Sequence, residues 1–333
     1  MVVKRHRLNR LARWAVIVLA MSMFAAACSD SDDASSDEVS ELTLVLDFVP
    51  GGIHAGIYAA EAEGYFADAN IDVDIQPPTS SADTLRLVLA GKASVGIAPI
   101  ADVAALRAQG EDIVIFLALE QVPLGALMST SAIGITDPSQ LEGATIGVTG
   151  VPSDESIAKV ILSSSGVDVD SIDFVTIGFD AVGNLLGQTV DAAMGFWSAE
   201  AVVLELEGEI PQVFRPDEFG APPYPELVLF ASTDTANDKP EVLQALADSL
   251  ARGYEFAVAN QDEAIAHLAA GADGIDVDFA NAEFDNVKPF FLGPNGGFGE
   301  LSQDAIDEYV SWAVEFGVLE TAPDDLITLD FLP

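Results

Sequence analysis

Short apolar runs and helical patterns alternate along the chain from residue 42 onward, and this alternation constrains the fold more than any other feature. Strands that alternate with helices favour parallel sheets covered by helices. Strands are predicted at Leu42–Phe48, Ile71–Ile75, Ala93–Ala98, Ile113–Leu119, Thr145–Val148, Asp173–Ile177, Val190–Gly195, Gln212–Phe214 and Leu227–Ala231. After residue 239 the pattern is almost entirely helical, with helices predicted at Glu241–Ala259, Asp262–Ala270 and Gln303–Phe316. The sequence therefore predicts an α/β protein with a helical C-terminal part.

Two stretches of the sequence repeat the same order of elements. Residues 89–98 and residues 186–195 each contain a helix end, a tight turn and a short strand, and each is followed by a loop and a helix. A chain of this size can bury two substantial cores. We therefore predict two similarly built lobes, with residues 42–128 and 226–333 in the first and residues 129–225 inserted as the second. Ligands of open α/β sheets bind beyond the carboxyl ends of the strands, so two facing lobes would enclose a ligand cleft.

The first 41 residues have the organisation of an export signal followed by a tether. Basic residues precede an apolar run from Trp14 to Phe24, which is shorter than a membrane-spanning helix requires. Small residues then lead directly to Cys28, the only cysteine, as in a lipoprotein signal. We predict a signal peptide over residues 1–27, lipidation of Cys28 and a flexible acidic tether over residues 28–41. The alternative is an ordinary signal peptide that is cut nearby and leaves a free thiol. Either way the protein is exported, and lipidation would hold it on the extracytoplasmic face of the cell membrane.

Acidic residues dominate the charge of the chain. The sequence has 54 Asp and Glu residues against 13 Lys and Arg residues, and residues 1–27 contain five of the basic residues and none of the acidic ones. Removal of this segment leaves eight basic residues against 54 acidic ones, a formal charge of −46. Nucleic acids and anionic membrane surfaces bind through basic patches. The sequence therefore excludes electrostatic binding to either, and membrane attachment is expected through the lipid anchor alone.

Several motifs match one family of exported proteins in order and spacing. They are Leu46–Pro50, His54–Ala60, Glu63–Phe66, Ile71–Val73, Gly147–Glu155, Gly178–Val182, Phe196–Glu200 and Gly220–Val228. Over roughly residues 42–260 the chain resembles substrate-binding proteins of ABC importers related to thiamine-pyrimidine synthases, a group that includes alkanesulfonate binders. The resemblance implies a type II periplasmic-binding-protein fold with two hinge crossings, near Leu117–Met128 and Pro225–Ser232. It also implies an ABC permease and ATPase subunits as partners of a monomeric protein that carries a small molecule.

Aromatic residues and a histidine near the first strand are candidates for the ligand site. Phe48 lies at the carboxyl end of that strand, and Tyr58 lies one helical turn beyond it. Each ring either faces the cleft, where it can stack on a flat heterocycle, or belongs to the core. His54 either contacts the ligand or serves as a capping or surface residue at the start of the next helix. Phe179 and Tyr224 lie in motifs that match the family, and the resemblance implies a place for both at the site.

Further candidates follow strands of the second lobe. Trp197 directly follows a strand, which favours a stacking wall. Glu200, one helical turn later, either accepts hydrogen bonds from a ring amino or N–H group or is a solvated carboxylate. The turn before Ser153 begins a helix whose free N–H groups favour a carbonyl, formyl or phosphate oxygen. Ser153 can instead be a simple N-cap, and the adjacent Asp154 and Glu155 disfavour phosphate.

Neither catalysis nor a metal site is indicated by the sequence. The thiamine-pyrimidine synthases of the resembled family carry a cysteine-rich iron motif, whereas Cys28 is the only cysteine here. No spacing of Cys, His and Asp residues suggests a metal ligand set, no nucleophile turn is present, and no cofactor is expected. The run Gly293–Gly299 lacks the lysine and the strand of a phosphate-binding loop, so it is predicted to be a plain loop. A surface adhesin would not require two matched lobes with a cleft.

The predicted ligand is a planar nitrogen heterocycle. Aromatic rings and a carboxylate suit a neutral or weakly basic ring better than a sulfonate, which would prefer an arginine. The arginines beyond the signal peptide are Arg86 and Arg107 within helices, Arg252 in the C-terminal helical part and Arg215 after a strand. We therefore expect uptake of a thiamine-precursor pyrimidine of the hydroxymethyl or formylaminomethyl type. The alternatives, in order, are riboflavin, an alkanesulfonate and a synthase-like enzyme.

Overall fold

Two five-stranded sheets organise the folded part of the chain. The computed structural model describes residues 39–80 and 82–333. Its strands are β1 Ser40–Val45, β2 Ile71–Gln76, β3 Val95–Pro99, β4 Ile113–Ala118, β5 Gly125–Thr130, β6 Thr145–Val148, β7 Asp173–Thr176, β8 Ala192–Phe196, β9 Pro211–Phe214 and β10 Leu227–Ser232. The first sheet has the order β2-β1-β3-β10-β4, and the second has the order β7-β6-β8-β5-β9. Each sheet forms one lobe with the helices packed on it, which confirms the predicted two-lobed α/β fold.

Helices connect most of the strands and make up much of the C-terminal part. The α-helices are α1 Ala55–Ala62, α2 Tyr65–Asp68, α3 Asp83–Leu89, α4 Ile100–Ala108, α5 Pro152–Ser164, α6 Ala181–Leu186, α7 Glu200–Leu206, α8 Thr233–Asp238, α9 Pro240–Ala259, α10 Gln261–Gly271, α11 Val277–Val287 and α12 Gln303–Glu315. Short 3₁₀ turns lie at Gly52–His54, Pro138–Leu141, Val169–Ser171, Pro216–Phe219 and Lys288–Phe290. Within residues 39–80 and 82–333, no helix combines the length and the apolar character needed to cross a membrane.

The two sheets have the same topology. β1 pairs in parallel with β2 and β3, and β6 pairs in parallel with β7 and β8. The corresponding strands β10 and β5 run antiparallel to the neighbours on both sides. Both sheets are therefore mixed, whereas the alternation of strands and helices favoured parallel sheets. β5 and β10 each enter their sheet directly from the other lobe. Parallel pairing with a neighbour would require a crossover helix, and neither strand is preceded by one.

The chain passes between the lobes twice. The first crossing, residues 119–124, joins β4 to β5, and the second crossing, residues 220–226, leads into β10. Residues 125–128, which were predicted in the first lobe, belong to β5, and β5 pairs with β8 and β9 of the second lobe. This strand was missed because no turn or helix signal separates it from the crossing.

The start of the fold also differs from the prediction. Ser40 and Glu41 were assigned to the tether, but they pair with Ile71 and Asp72 as the first residues of β1. Glu41 is exposed within the strand, so its polar character resembled that of the tether. The predicted signal peptide, Cys28 and the rest of the tether lie outside the described residues.

Burial distinguishes the inner strands from the edge of the sheet. The inner strands β3 and β10 are buried along almost their whole length, as expected for strands that helices cover on both faces. The edge strand β2 alternates buried and exposed residues. Helices α1 and α9 cross closely, since a Cβ atom on Gly253 would collide with the carbonyl oxygen of Gly56. This packing fixes α1 and the 3₁₀ turn that precedes it at the cleft.

Candidate ligand-binding site

A cavity of about 80 Å³ lies between the lobes, where the carboxyl ends of their strands face each other. Residues at the ends of β1, β3, β6, β7 and β8 line it, as expected for a ligand site of open α/β sheets. The lining includes Asp47, Phe48, Ile53, His54, Pro99, Gly125, Thr149, Val151, Ser153, Asp154, Ile157, Phe179, Met194, Gly195, Phe196, Ala199, Glu200, Glu226 and Glu283. Five of the eight predicted ligand residues are in this set: Phe48, His54, Ser153, Phe179 and Glu200.

His54 lines the cavity with both ring nitrogens engaged. Its Nδ1 atom accepts a hydrogen bond from the backbone N–H of Gly51 at 3.2 Å, and its Nε2 atom lies 2.9 Å from Oδ1 of Asp47. Since Nδ1 accepts, we assign the ring proton to Nε2, which donates to the Asp47 carboxylate. The residue is 1% exposed and makes no side-chain cap to the following helix. His54 is therefore a buried part of the cavity wall that also caps the 3₁₀ turn Gly52–His54 through the N–H of Gly51, and it is not a surface residue.

Glu200 and Glu283 bring carboxylates to the cavity from the two lobes. Glu200 begins α7, and its Oε2 atom accepts a hydrogen bond from the backbone N–H of Phe196 at 2.7 Å. The carboxylate lies over Gly195, where a Cβ atom would come within 2.9 Å of it. Glu283 lies on α11 and accepts from the N–H of Ile53 at 3.4 Å. Burial raises the pKa of Glu200 to about 7 and the pKa of Glu283 to about 8.

Two further carboxylates complete the acidic lining. Asp154 accepts from the N–H and the hydroxyl of Thr149, both at 2.6 Å, and burial raises its pKa. Glu226 accepts from the N–H groups of Leu124 and Gly125, both at 3.2 Å, and burial raises its pKa to about 7. With Asp47, five carboxylates line the cavity, and no Lys or Arg is found among the described residues of the lining. The cavity therefore favours a ligand that donates hydrogen bonds or carries positive charge.

Two phenylalanines from opposite lobes meet at the cavity. Phe48 follows β1 in the first lobe and Phe179 follows β7 in the second, and their ring centroids are 4.4 Å apart with an interplanar angle of 75°. This edge-to-face contact is a favoured geometry for aromatic rings. Because each ring belongs to a different lobe, the pair forms only when the lobes are close together.

Ser153 has a different environment from the one predicted. Val151 occupies the N-cap position of α5, and Ser153 lies in its first turn. The N–H and the hydroxyl of Ser153 donate to Oδ1 and Oδ2 of Asp102 at 3.2 and 2.7 Å. Asp102 lies on α4 of the first lobe. The donors predicted to bind a ligand oxygen are thus already taken by a carboxylate of the protein.

Tyr58 and Tyr224 do not line the cavity, contrary to prediction. Tyr58 is a core residue packed on Gly271 of α10, and burial raises its pKa to about 12. Tyr224 lies on the second crossing, where its ring packs on Tyr309 and Trp312 of α12. Tyr58 is in the core because its face of α1 packs on α10. Tyr224 is in the core because the second crossing packs on α12.

Trp197 also lies outside the lining, because successive residues of an extended chain point in opposite directions and Phe196 takes the inward position. Its Nε1 atom donates to the carbonyl of Pro123 at 2.9 Å, and its ring packs edge-on against Phe290. The guanidinium of Arg215 lies 4.8 Å from the ring centre. Trp197 therefore packs against the first crossing and does not form a stacking wall of the cavity.

Asp47, Glu226 and Glu283 are site residues that the sequence analysis did not select. Asp47 precedes Phe48 at the end of β1, so the rule that selected Phe48 could have selected it as well. Glu226 immediately precedes a strand, where the rule does not apply. Glu283 reaches the cavity from a helix distant in sequence, and no local signal marks it.

One surface group of the described residues could hold a cation. Glu63, Glu263 and His267 lie close together, and the His267 Nε2 atom is 2.9 Å from Oε1 of Glu63. Glu263 and His267 are one turn apart on α10, whereas Glu63 follows α1. The sequence analysis found no such set because the group combines two separate helices. A hydrogen bond between Glu63 and His267 accounts for the contact, and none of the three residues lines the cavity.

The chain is similar to proteins of known name and known structure. It is 29% identical over 303 residues to the formylaminopyrimidine-binding protein of Halalkalibacterium halodurans, with 89% of this chain and 92% of that protein covered. It is 21% identical over 263 residues to the 4-amino-5-hydroxymethyl-2-methylpyrimidine phosphate synthase of Candida albicans, covering 76% and 77%.

Solved structures show the fold. The alkanesulfonate-binding protein SsuA of Xanthomonas axonopodis pv. citri superposes with a TM-score of 0.68 at 14% identity, covering 89% of this chain and 99% of that one. A Candida albicans protein with the generic periplasmic binding protein fold has a TM-score of 0.66 at 20% identity, covering 86% and 92%. The NMT1/THI5-like family model matches residues 52–264, which is more than half of the chain. The chain therefore has the two-lobed periplasmic-binding-protein fold and belongs to the NMT1/THI5-like family.

Proposed function

We propose that this protein is the extracytoplasmic substrate-binding component of an ABC importer and that its ligand is a thiamine-precursor pyrimidine. The acidic lining of the interlobe cavity is the observation that carries the proposal. The name of the relative from Halalkalibacterium halodurans, a formylaminopyrimidine-binding protein, supports the ligand class. The SsuA structures support the fold of a binding protein that delivers its ligand to a permease and ATPase subunits. We expect the protein to act as a monomer.

The chemistry of the cavity matches an aminopyrimidine. An exocyclic amino group donates hydrogen bonds, and a ring nitrogen can take up a proton, so both features suit carboxylate partners. Glu200 and Glu283 lie on opposite lobes and can each accept from such a ligand. Phe48 and Phe179 provide aromatic surface for a flat ring. A sulfonate would face five carboxylates with no described Lys or Arg residue in the lining, which disfavours it.

The alternatives fit less well. Riboflavin is a three-ring system with ring carbonyl oxygens, and these acceptors would meet carboxylates and no described Lys or Arg residue in the lining. A synthase-like reaction would require reactive side chains. His54 is the histidine of the lining, and both of its ring nitrogens are already hydrogen-bonded to Gly51 and Asp47. Cys28, the only cysteine, belongs to the predicted lipidation signal. Binding without chemistry is therefore the proposed activity.

Titration calorimetry with hydroxymethylpyrimidine, formylaminopyrimidine, thiamine, riboflavin and ethanesulfonate tests the ligand. At pH 8, where the Glu200 carboxylate is mostly ionised, we expect an aminopyrimidine to bind and Glu200→Gln to weaken it about tenfold, because a charge-assisted acceptor becomes neutral and about 1.4 kcal/mol is lost. Glu205→Gln, an exposed change on the same helix, is the control and should bind as the wild type does. Tight binding of ethanesulfonate without any heterocycle would contradict the proposed ligand, and unchanged affinity in Glu200→Gln would contradict the role of Glu200.

Lipidation at Cys28 is the proposed means of membrane attachment. Cys28→Ala should release the protein into the medium or leave an uncleaved precursor, since the thiol that carries the lipid is absent. Incorporation of labelled palmitate and the distribution between membrane and medium measure this. Ser31→Ala, three residues away in the tether, is the control and should remain attached. Normal processing and membrane retention of Cys28→Ala would mean that another segment anchors the protein.

A further inference from the structure

Asp102 and Ser153 join the two lobes across the cleft. Asp102 lies on α4, which follows β3 of the first sheet, and Ser153 lies on α5, which follows β6 of the second sheet. The hydroxyl of Ser153 donates to Oδ2 of Asp102 at 2.7 Å, and its backbone N–H donates to Oδ1 at 3.2 Å. Asp102 is 3% exposed and does not line the cavity, whereas Ser153 does. The pair therefore lies at the edge of the ligand site, with Ser153 in the lining and Asp102 behind it.

The start of α5 explains why a carboxylate is favoured at this place. Helix α5 has 13 residues, and its N-cap residue, Val151, has no side chain that can accept a hydrogen bond. The first N–H groups of a helix need acceptors, and the helix dipole favours a negative charge there. Asp102 meets both requirements from the other lobe, whereas an ordinary N-cap residue meets them from the position directly before the helix. The amino end of α5, where an anionic ligand could bind, is thus filled by the protein itself.

Two other contacts between the lobes have different consequences for opening. Glu226 binds Leu124 and Gly125, which joins the two crossings and can persist while the lobes rotate about them. The Phe48–Phe179 pair is apolar and has no directional hydrogen bond. Asp102 and Ser153 lie on helices of opposite lobes, so the hydrogen bonds between them must break when the cleft opens. In the open state water can replace both partners, which makes the pair reversible.

We propose that Asp102 is a positioning residue that holds the lobes closed over the cavity by capping α5 across the cleft, and that it thereby lets the protein close on a ligand that brings no anionic group. The ligand class rests on the proposed function, whereas the closing role of Asp102 does not. A ligand with a sulfonate or phosphate could bridge the lobes by binding the amino end of α5. Here the Asp102 carboxylate makes that bridge, and the ligand has only to satisfy the acidic lining.

The test compares Asp102→Ala, Asp102→Asn, Ser153→Ala and the double variant Asp102→Ala/Ser153→Ala. Burial raises the pKa of Asp102 to about 7, so measurements at pH 8 keep its carboxylate ionised. Asp137→Ala is the control, because Asp137 caps the 3₁₀ turn Pro138–Leu141 through the N–H of Ser139 within one lobe. Small-angle scattering without ligand reports closure, stopped-flow dissociation of hydroxymethylpyrimidine reports retention of the ligand, and thermal unfolding reports stability.

We expect Asp102→Ala to have a larger radius of gyration than the wild type and to release hydroxymethylpyrimidine at least tenfold faster, with little change in the association rate. Asp102→Asn should show a smaller effect, since its amide oxygen can still accept a bond. The double variant should release the ligand no faster than Asp102→Ala, because both changes remove the same pair. Asp137→Ala should change neither scattering nor dissociation.

Two results would overturn the proposal. One is wild-type scattering and dissociation in a folded Asp102→Ala protein. The other is saturable binding of inorganic sulfate to the wild-type protein that Asp102→Ala leaves unchanged, because an anion would then close the cleft without regard to Asp102. If the wild type binds no pyrimidine, the proposed function fails, but the scattering comparison and the sulfate titration still test the closing role of Asp102.

Discussion

Lowering the pH from about 8 to about 5 is expected to stabilise the folded protein and to raise its melting temperature by on the order of 10 °C or more. Burial raises the pKa of Asp102, Glu200 and Glu226 to about 7 and the pKa of Glu283 to about 8. In the unfolded chain these carboxyls titrate near pH 4. Between about pH 4 and pH 8 the folded protein thus binds more protons than the unfolded chain. The free energy of unfolding therefore falls as the pH rises through this range and becomes constant above it.

Thermal unfolding from pH 5 to pH 8 at about 0.5 M salt checks this, since high salt screens repulsion between the exposed carboxylates. Glu283→Gln should be more stable than the wild type at pH 8 and similar to it at pH 5, because the amide can accept from Ile53 without the penalty of a buried charge. Asp278→Asn, an exposed change on the same helix, should keep the wild-type slope. A melting temperature that rises with pH would show that the buried carboxyls are paired in a way that the structure does not contain.

Local patterns predicted the parts of the site that come directly after strands. Phe48 was selected because it lies at a strand end, and the carboxyl ends of strands meet at the cleft in this fold. Phe179 also follows a strand, but it was selected through the family resemblance. Glu200 lies at the helix start after β8 and was selected as the carboxylate one helical turn beyond Trp197. Alternation along the chain would also have placed Phe196 inward and Trp197 outward, so the error at Trp197 came from applying the strand-end rule without its period of two.

Other features depend on contacts between distant parts of the chain. Asp102 is an acidic residue within an otherwise apolar helix start, and only the approach of α5 from the other lobe gives it a partner. Glu283 is 230 residues from Ile53, its partner at the cavity. The direction of β5 follows from the chain's entry into the second lobe and not from its residues. Sequence patterns report neighbours along the chain, so these pairings could not be predicted from them.

Removal of the Glu226 side chain is expected to have a large effect on stability because this residue joins the two crossings. Its Oε2 atom accepts from Leu124 and Gly125 of the first crossing and the strand after it. In the reverse direction, Glu120 of the first crossing accepts from the N–H of Leu227 at 2.8 Å. The two glutamates are buried, so water cannot easily replace them. Each crossing is thus held by a carboxylate of the other.

Glu226→Ala should therefore lower the free energy of unfolding by about 2–4 kcal/mol, because two buried N–H groups lose their acceptor. At pH 5, where the Glu226 carboxyl is neutral, Glu226→Gln should remain within about 1 kcal/mol of the wild type, since one amide oxygen can accept both bonds. Glu155→Ala removes an exposed carboxylate paired with Lys159 and should change stability by less than about 0.5 kcal/mol. Urea unfolding without ligand measures all three, which separates stability from any direct contact of Glu226 with the ligand. If Glu226→Ala were as stable as Glu226→Gln, the crossings would be held by their backbone pairing alone, and Glu226 would act only as a lining residue of the cavity.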